Sequence, residues 1–183
     1  MEYAQNAGNW QRGKLKLGVI PTIAPFLFES MLGAFNAFLP EIQLELQEDT
    51  TANLLQQLTD GSLDLLVLAL PMETPGCKQM VLGHDPFHLI AHKELASQLP
   101  KPLDITSLPK KSIFLLQQEH CMPGHAVSAC NLQHSDQISS LAASSLYTLV
   151  QLANSKLGYT FLPELALNQD LLKNTNLVSF ASE

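Results

Sequence analysis

Cys121 and Cys130 lie nine residues apart and carry the most distinctive chemistry in this chain. On a continuous α-helix, nine residues advance about 13.5 Å and turn through about 900°, which places the two thiols on opposite faces. A disulfide needs Cα atoms roughly 4.4–6.8 Å apart, so bonding requires that any helix between the two cysteines be broken. The pair therefore predicts a redox switch, in which oxidation changes the shape of the chain.

The neighbours of Cys121 favour a reactive thiol. Pro123 suits the first position of a helix, and a helix that begins there places Cys121 close to a helix N-terminus. The partial positive charge of that terminus stabilises a thiolate, and His120 and His125 act in the same direction when they are protonated or donate a hydrogen bond. Cys130 follows more apolar residues. The pattern predicts one reactive and one resolving thiol; the alternative is two unrelated buried cysteines.

Composition excludes several classes of function. The net charge is −7 with only ten lysines and arginines, which argues against a nucleic-acid-binding surface. No apolar run reaches the length of a membrane span, and no secretory signal is evident. Three cysteines without such a signal indicate a cytoplasmic protein with reduced thiols. Since no nucleophile–base–acid set or phosphate-binding loop appears, we expect neither an enzyme nor a cofactor.

Hydrophobic periodicity predicts an α/β fold. Strands are expected over 14–20, 42–46 and 63–70, with helices over 26–39 and 52–58 between them, an alternation typical of a parallel sheet covered by helices. Asp49, Thr50 or Thr51 can cap the second helix. In the second half, strands are expected over 87–91, 112–116 and 159–163, and helices over 144–157, ended by Gly158, and over 164–171.

Three sequence landmarks resemble the effector domain of LysR-type transcriptional regulators. They are Gly18-Val19-Ile20-Pro21-Thr22, Leu63-Asp64-Leu65 and Leu157-Gly158-Tyr159-Thr160-Phe161-Leu162-Pro163. The resemblance covers roughly residues 14–183 and implies a periplasmic-binding-protein-like fold, with two lobes that each hold a mainly parallel sheet flanked by helices. Residues 1–13 then form a tail or the end of a linker, 14–86 the first lobe and 87–183 the second.

The same resemblance implies an incomplete regulator. An effector domain of this family needs a return crossing, with a further strand and helix, to complete its first lobe. The winged helix-turn-helix domain is also missing from this chain, so we expect a fragment that reaches DNA only through that absent domain. In the intact regulator the expected partners are a second copy of the protein and DNA, with RNA polymerase as a candidate, and no membrane.

Within this family, the spacing of Cys121 and Cys130, with His120 directly before the first, is similar to that of the hydrogen-peroxide sensors. The resemblance implies that peroxide oxidises Cys121 to a sulfenic acid, which Cys130 captures as a disulfide. It also implies that Thr22, Thr51 and His120 bind the peroxide, since hydroxyl and imidazole groups can align it with the sulfur and protonate the leaving hydroxide. One departure is Met122-Pro123-Gly124, where relatives commonly carry charged residues.

Other interpretations remain open at this stage. The chain could bind a small organic anion between its lobes, with Thr22 and Thr51 as ligand contacts and the cysteines as bystanders; either threonine could also be a plain helix cap. Zinc is a further alternative, because two Cys-x3-His pairs start at Cys121 and Cys130, but their separation is not a common zinc spacing. The histidines at 84, 88 and 92 are interrupted by Pro86 and a strand-like run, so no metal site is expected there.

Overall fold

The chain divides between Thr74 and Pro75 into two compact units, each built around its own sheet. The structure is a computed structural model that describes residues 13–117 and 136–181. Helices alternate with strands in both units, so the predicted α/β class is confirmed. Within the described residues, no helix is long and apolar enough to cross a membrane.

The first unit follows the predicted order of strand, helix, strand, helix and strand. Its elements are β1 (Gly13–Val19), α1 (Ala24–Phe38), β2 (Ile42–Glu48), α2 (Thr51–Thr59) and β3 (Leu65–Val67). The strands are parallel, in the order β2-β1-β3. Buried Leu17, Val19 and Ala24 form the centre of its core, where the apolar face of β1 meets α1.

The third strand is shorter than the predicted 63–70, for reasons visible at both of its ends. The backbone N–H of Leu63 donates to the carbonyl of Gln57 in α2, so this residue still belongs to the helix end. At the other end, the pairing of β1 with β3, which begins at Leu17 and Leu65, stops at Val19 and Val67, and the chain after β1 then turns into α1. The partner strand therefore sets the length of β3.

The second unit contains a mixed sheet. Its elements are β4 (Phe87–His92), α3 (Lys93–Ala96), a 3-10 helix (Ile105–Ser107), β5 (Ile113–Leu116), β6 (Ile138–Ala143), α4 (Leu146–Asn154), β7 (Tyr159–Pro163), α5 (Glu164–Asn168) and β8 (Leu177–Ala181). In the order β6-β5-β7-β4-β8, β5 pairs in parallel with both neighbours. The prediction of a mainly parallel sheet needs correction here, because β4 runs antiparallel to β7 and β8.

Two edge strands of this sheet have no counterpart in the sequence-based prediction. The segment of β6, Ile138-Ser139-Ser140-Leu141-Ala142-Ala143, lacks strict alternation and is rich in small residues. The segment of β8 is only five residues long. Such segments become strands because a neighbouring strand offers them hydrogen bonds, which is a tertiary effect.

Gly158 is required by a close approach between two strands, and it does not end the preceding helix. Helix α4 ends at Asn154, and the left-handed residue after it is Lys156, with φ of 63°. A Cβ atom at Gly158 would lie 2.1 Å from the carbonyl oxygen of Ser112, which accepts the N–H of Tyr159 at 2.8 Å. Glycine therefore lets β7 dock against the start of β5.

Gly158→Ala should lower the free energy of unfolding by about 3 kcal/mol, because backbone atoms cannot move aside as a flexible side chain can. Gly33→Ala is the matched control. Gly33 lies on the exposed side of α1 with open space around its Cα, so alanine should stabilise the helix by about 0.5–1 kcal/mol. Urea denaturation of both variants checks this, and equal effects would contradict the assigned role of Gly158.

Candidate functional site

The two predicted ligand-binding threonines lie at the same edge of the first sheet. Strands β1 and β2 are adjacent and parallel, and their register pairs Val19 with Glu48, the last residue of each strand. Thr22 and Thr51 each follow three residues later. The carboxyl edge of a parallel sheet is where α/β folds bind ligands, so the structure brings both side chains to a site of the expected kind.

Backbone hydrogen bonds fix the turn that carries Thr22. The carbonyl of Ile20 accepts the N–H groups of Ile23 and Ala24, at 3.0 and 2.9 Å. Ile20 and Ala24 are fully buried, and Thr22 itself is only 7% exposed. The N-cap of α1 is Ile23, which makes no side-chain capping bond, so Thr22 does not have the capping role that was its structural alternative.

Side chains fix the turn that carries Thr51. Thr50 is the N-cap of α2, and its hydroxyl accepts the N–H of Asn53 in a long bond of 3.5 Å. One oxygen of the Asp49 carboxylate accepts both the N–H of Thr50 at 2.7 Å and the side-chain amide of Asn53 at 2.8 Å. Thr51 is the first helical residue and only 6% exposed. The cap is thus Thr50, and Thr51 is buried beside it.

The charge on Asp49 is maintained by these contacts. The hydrogen bond from the Asn53 side chain, followed by the bond from the backbone N–H of Thr50, lowers the pKa of the Asp49 carboxyl below its ordinary value. Asp49 therefore remains ionised throughout the neutral range. In the sequence, this arrangement corresponds to an acid and an amide four residues apart, Asp49 and Asn53, on either side of a helix start. The sequence analysis did not identify this pair.

The histidines that the structure describes in the second unit do not form a common metal site. His88 and His92 are both on β4, and four residues along a strand span about 13 Å. His92 is buried, and its Nδ1 accepts the N–H of Glu94 at 3.2 Å at the start of α3. In the part of the chain that the structure describes, no cluster of three metal-ligating side chains is present.

The remaining predicted site residues, Cys121, Cys130 and His120, lie outside the described residues, as do the histidines at 125 and 134 of the zinc alternative. The separation of the two cysteines and their placement near either threonine therefore stay predictions. The third cysteine, Cys77, is half-buried, with its Sγ 3.8 Å from the carbonyl oxygen of Pro75.

The family model of the LysR substrate binding domain matches residues 9–180. The chain belongs to this family. It is accordingly the effector domain of a LysR-type transcriptional regulator, in a family of regulatory domains and not of enzymes, and the predicted periplasmic-binding-protein-like fold is confirmed.

Individual relatives include regulatory domains and regulators with different names. The reduced regulatory domain of OxyR2 from Vibrio vulnificus is 46% identical with a TM-score of 0.88, over 93% of this chain and 80% of that one. The HTH-type transcriptional regulator EstR of Acinetobacter baylyi is 40% identical over 162 residues, 88% of this chain and 53% of the relative. The DNA-binding transcriptional dual regulator OxyR of Escherichia coli K12 is 28% identical, over 91% of this chain and 54% of its own. The chain spans about half the length of these curated relatives.

Thr50→Ala should lower the free energy of unfolding by about 1 kcal/mol, because it removes the side-chain cap of α2, whereas Thr50→Ser should retain most of the stability. Thr59→Ala is the control in the same helix. The Thr59 hydroxyl only bonds back to the carbonyl of Leu55, so its loss should change stability by a few tenths of a kcal/mol. Chemical denaturation compares the three, and a larger loss for Thr59→Ala would contradict the assignment of the cap.

Proposed function

We propose that this effector domain senses hydrogen peroxide by forming a disulfide between Cys121 and Cys130. The observation that carries the proposal is the placement of buried Thr22 and Thr51 at the same sheet edge, in a chain whose solved neighbours include OxyR2 regulatory domains at 45–46% identity. The paired cysteines and His120 in the sequence supply the reacting groups that such a function needs.

The reaction transfers two electrons from two thiols to one peroxide molecule. The Cys121 thiolate attacks one peroxide oxygen, the O–O bond breaks, and hydroxide leaves with the electron pair and is protonated to water. Cys121 is then a sulfenic acid. The Cys130 thiolate attacks its sulfur, the S–S bond forms, and a second hydroxide leaves to become water. Thr22, Thr51 and His120 hold the peroxide in line with the sulfur and donate hydrogen bonds to the departing oxygen.

Disulfide formation changes the shape of the segment from Cys121 to Cys130, and this change of shape acts on the rest of the regulator. The spacing of the two cysteines is incompatible with a disulfide across one unbroken helix, so oxidation requires that segment to be rebuilt. We place this event in the cytoplasm, in a homo-oligomeric regulator. Of the proposed lobes, 14–86 and 87–183, the first also takes in residues 75–86, which belong to the second compact unit of the structure. A DNA-binding domain outside this chain, together with RNA polymerase, would then convert the new shape into altered transcription.

A second candidate function is recognition of a small organic ligand without redox chemistry. It is favoured by the 40% identity to EstR, whose name refers to no peroxide. In that case Thr22 and Thr51 contact the ligand, and the cysteines take no part.

Stoichiometric peroxide should convert the reduced chain to one intramolecular Cys121–Cys130 disulfide, at a rate orders of magnitude above that of a free thiol. Stopped-flow kinetics and peptide mass spectrometry measure both properties. Cys121→Ser should abolish the fast phase, Cys130→Ser should keep it and accumulate sulfenic acid, and Cys77→Ser is the control that changes neither. Slow, unselective oxidation would favour the small-ligand function, and a stoichiometric zinc ion that protects both cysteines would replace both interpretations.

Thr51→Val removes one hydroxyl with little change of shape and should slow peroxide oxidation of Cys121 at least about tenfold, because a donor to the leaving oxygen is lost. Thr59→Ala, at the opposite end of the same helix, should leave the rate unchanged. An unaltered rate in Thr51→Val, with the fold intact by circular dichroism, would remove Thr51 from the site.

A further inference from the structure

Residues 77–86 form neither a helix nor a strand, and every residue from 78 to 86 is exposed. Three of them, Met80, Val81 and Leu82, are large and apolar, with exposed fractions of 79%, 66% and 70%. Apart from its neighbours in the chain, Gly83 has no atom within 4 Å of the position that a Cβ would take. This segment therefore keeps an apolar surface in contact with water.

The methionines that the structure describes differ in their contact with solvent. Met80 is largely exposed, whereas Met31 packs against the core of the first unit and Met72 is half-buried. Peroxides oxidise a thioether sulfur that they can reach, and a packed sulfur becomes accessible only when the structure around it opens. Met80 is therefore the most accessible of the three to an oxidant in solution.

We propose that Met80 is a site of reversible oxidation, at which hydrogen peroxide converts the thioether to a sulfoxide. The sulfur attacks one peroxide oxygen, the O–O bond breaks, and hydroxide leaves with the electron pair. The hydroxide then takes the proton of the oxygen bound to sulfur and becomes water, so that sulfur loses two electrons and peroxide gains them. Methionine sulfoxide reductases reverse the change. The reaction needs no other side chain, so the inference does not rest on the proposed disulfide.

A sulfoxide at Met80 changes the surface of the unit and leaves its packing intact. The sulfoxide is polar, so it interrupts the apolar run of Met80, Val81 and Leu82. Since the Met80 side chain is mostly exposed, few contacts within the fold are lost. A thioether has no thiolate form and reacts more slowly than an activated cysteine, so Met80 responds to sustained or high peroxide.

The test treats the reduced full chain with excess hydrogen peroxide and follows the sulfoxide at each methionine by peptide mass spectrometry. Met80 should be oxidised at least about threefold faster than Met31 or Met72, because the fold shields the other two sulfurs. In concentrated urea, where the fold shields none of them, the three rates should agree within about twofold. A difference of the same size in urea would show that the fold is not its cause.

Met80→Leu removes the sulfur and keeps an apolar side chain of similar size, and Met72→Leu is the matched control. After partial oxidation, the wild type and Met72→Leu should elute earlier from a hydrophobic-interaction column than their untreated forms, and methionine sulfoxide reductase should restore the original elution. Met80→Leu should lack this reversible shift. Cysteine oxidation is common to all three proteins, so a difference between them reports the Met80 side chain.

The midpoint of urea denaturation separates a surface modification from damage to the core. Oxidation of Met80 should leave the midpoint unchanged, whereas oxidation of Met31 should lower it, because a polar group would enter the core. Equal rates for the three methionines in the folded chain, a midpoint that falls when Met80 alone is oxidised, or a reversible shift in elution that persists in Met80→Leu would overturn the inference. Slow oxidation of Cys121 would instead overturn the peroxide function and leave this result unchanged.

Discussion

The parallel pairing of β1 with β2 is the constraint on which the candidate site depends. Its register places Val19 opposite Glu48, so the loops that follow begin at the same height on the sheet. Each loop must then turn at once into a helix that covers the apolar side of the sheet. Thr22 and Thr51 come to one edge because both strands end together, and neither threonine has to be placed by a contact of its own.

The two turns at this edge are held in different ways. The Thr22 turn is closed by the carbonyl of buried Ile20, which no side-chain substitution removes. The Thr51 turn is closed by the side chains of Asp49, Thr50 and Asn53, so that substitutions can remove its bonds. Of the two turns, only the second carries a charged side chain, that of Asp49.

The second unit depends on a contact of another kind. The backbone of Gly158 lies against the carbonyl of Ser112. Nearby, the hydroxyl of buried Thr160 donates to the carbonyl of Phe114 at 2.9 Å. Both contacts join β7 to β5, the strand that leads into the cysteine segment. The end of β5, from which the chain continues towards Cys121, is thus held within the sheet.

The sequence by itself determined the α/β class, the family, the element order of the first unit and the threonines that follow its strands. Each of these depends on hydrophobic periodicity or on short motifs, which are formed by residues close together in the sequence. Tertiary structure decided the rest. Edge strands β6 and β8, the antiparallel course of β4 and the shortness of β3 depend on which strand offers hydrogen bonds. Thr50, and not Thr51, became the cap because capping depends on backbone angles at the helix start, and Gly158 was required by a strand distant in sequence.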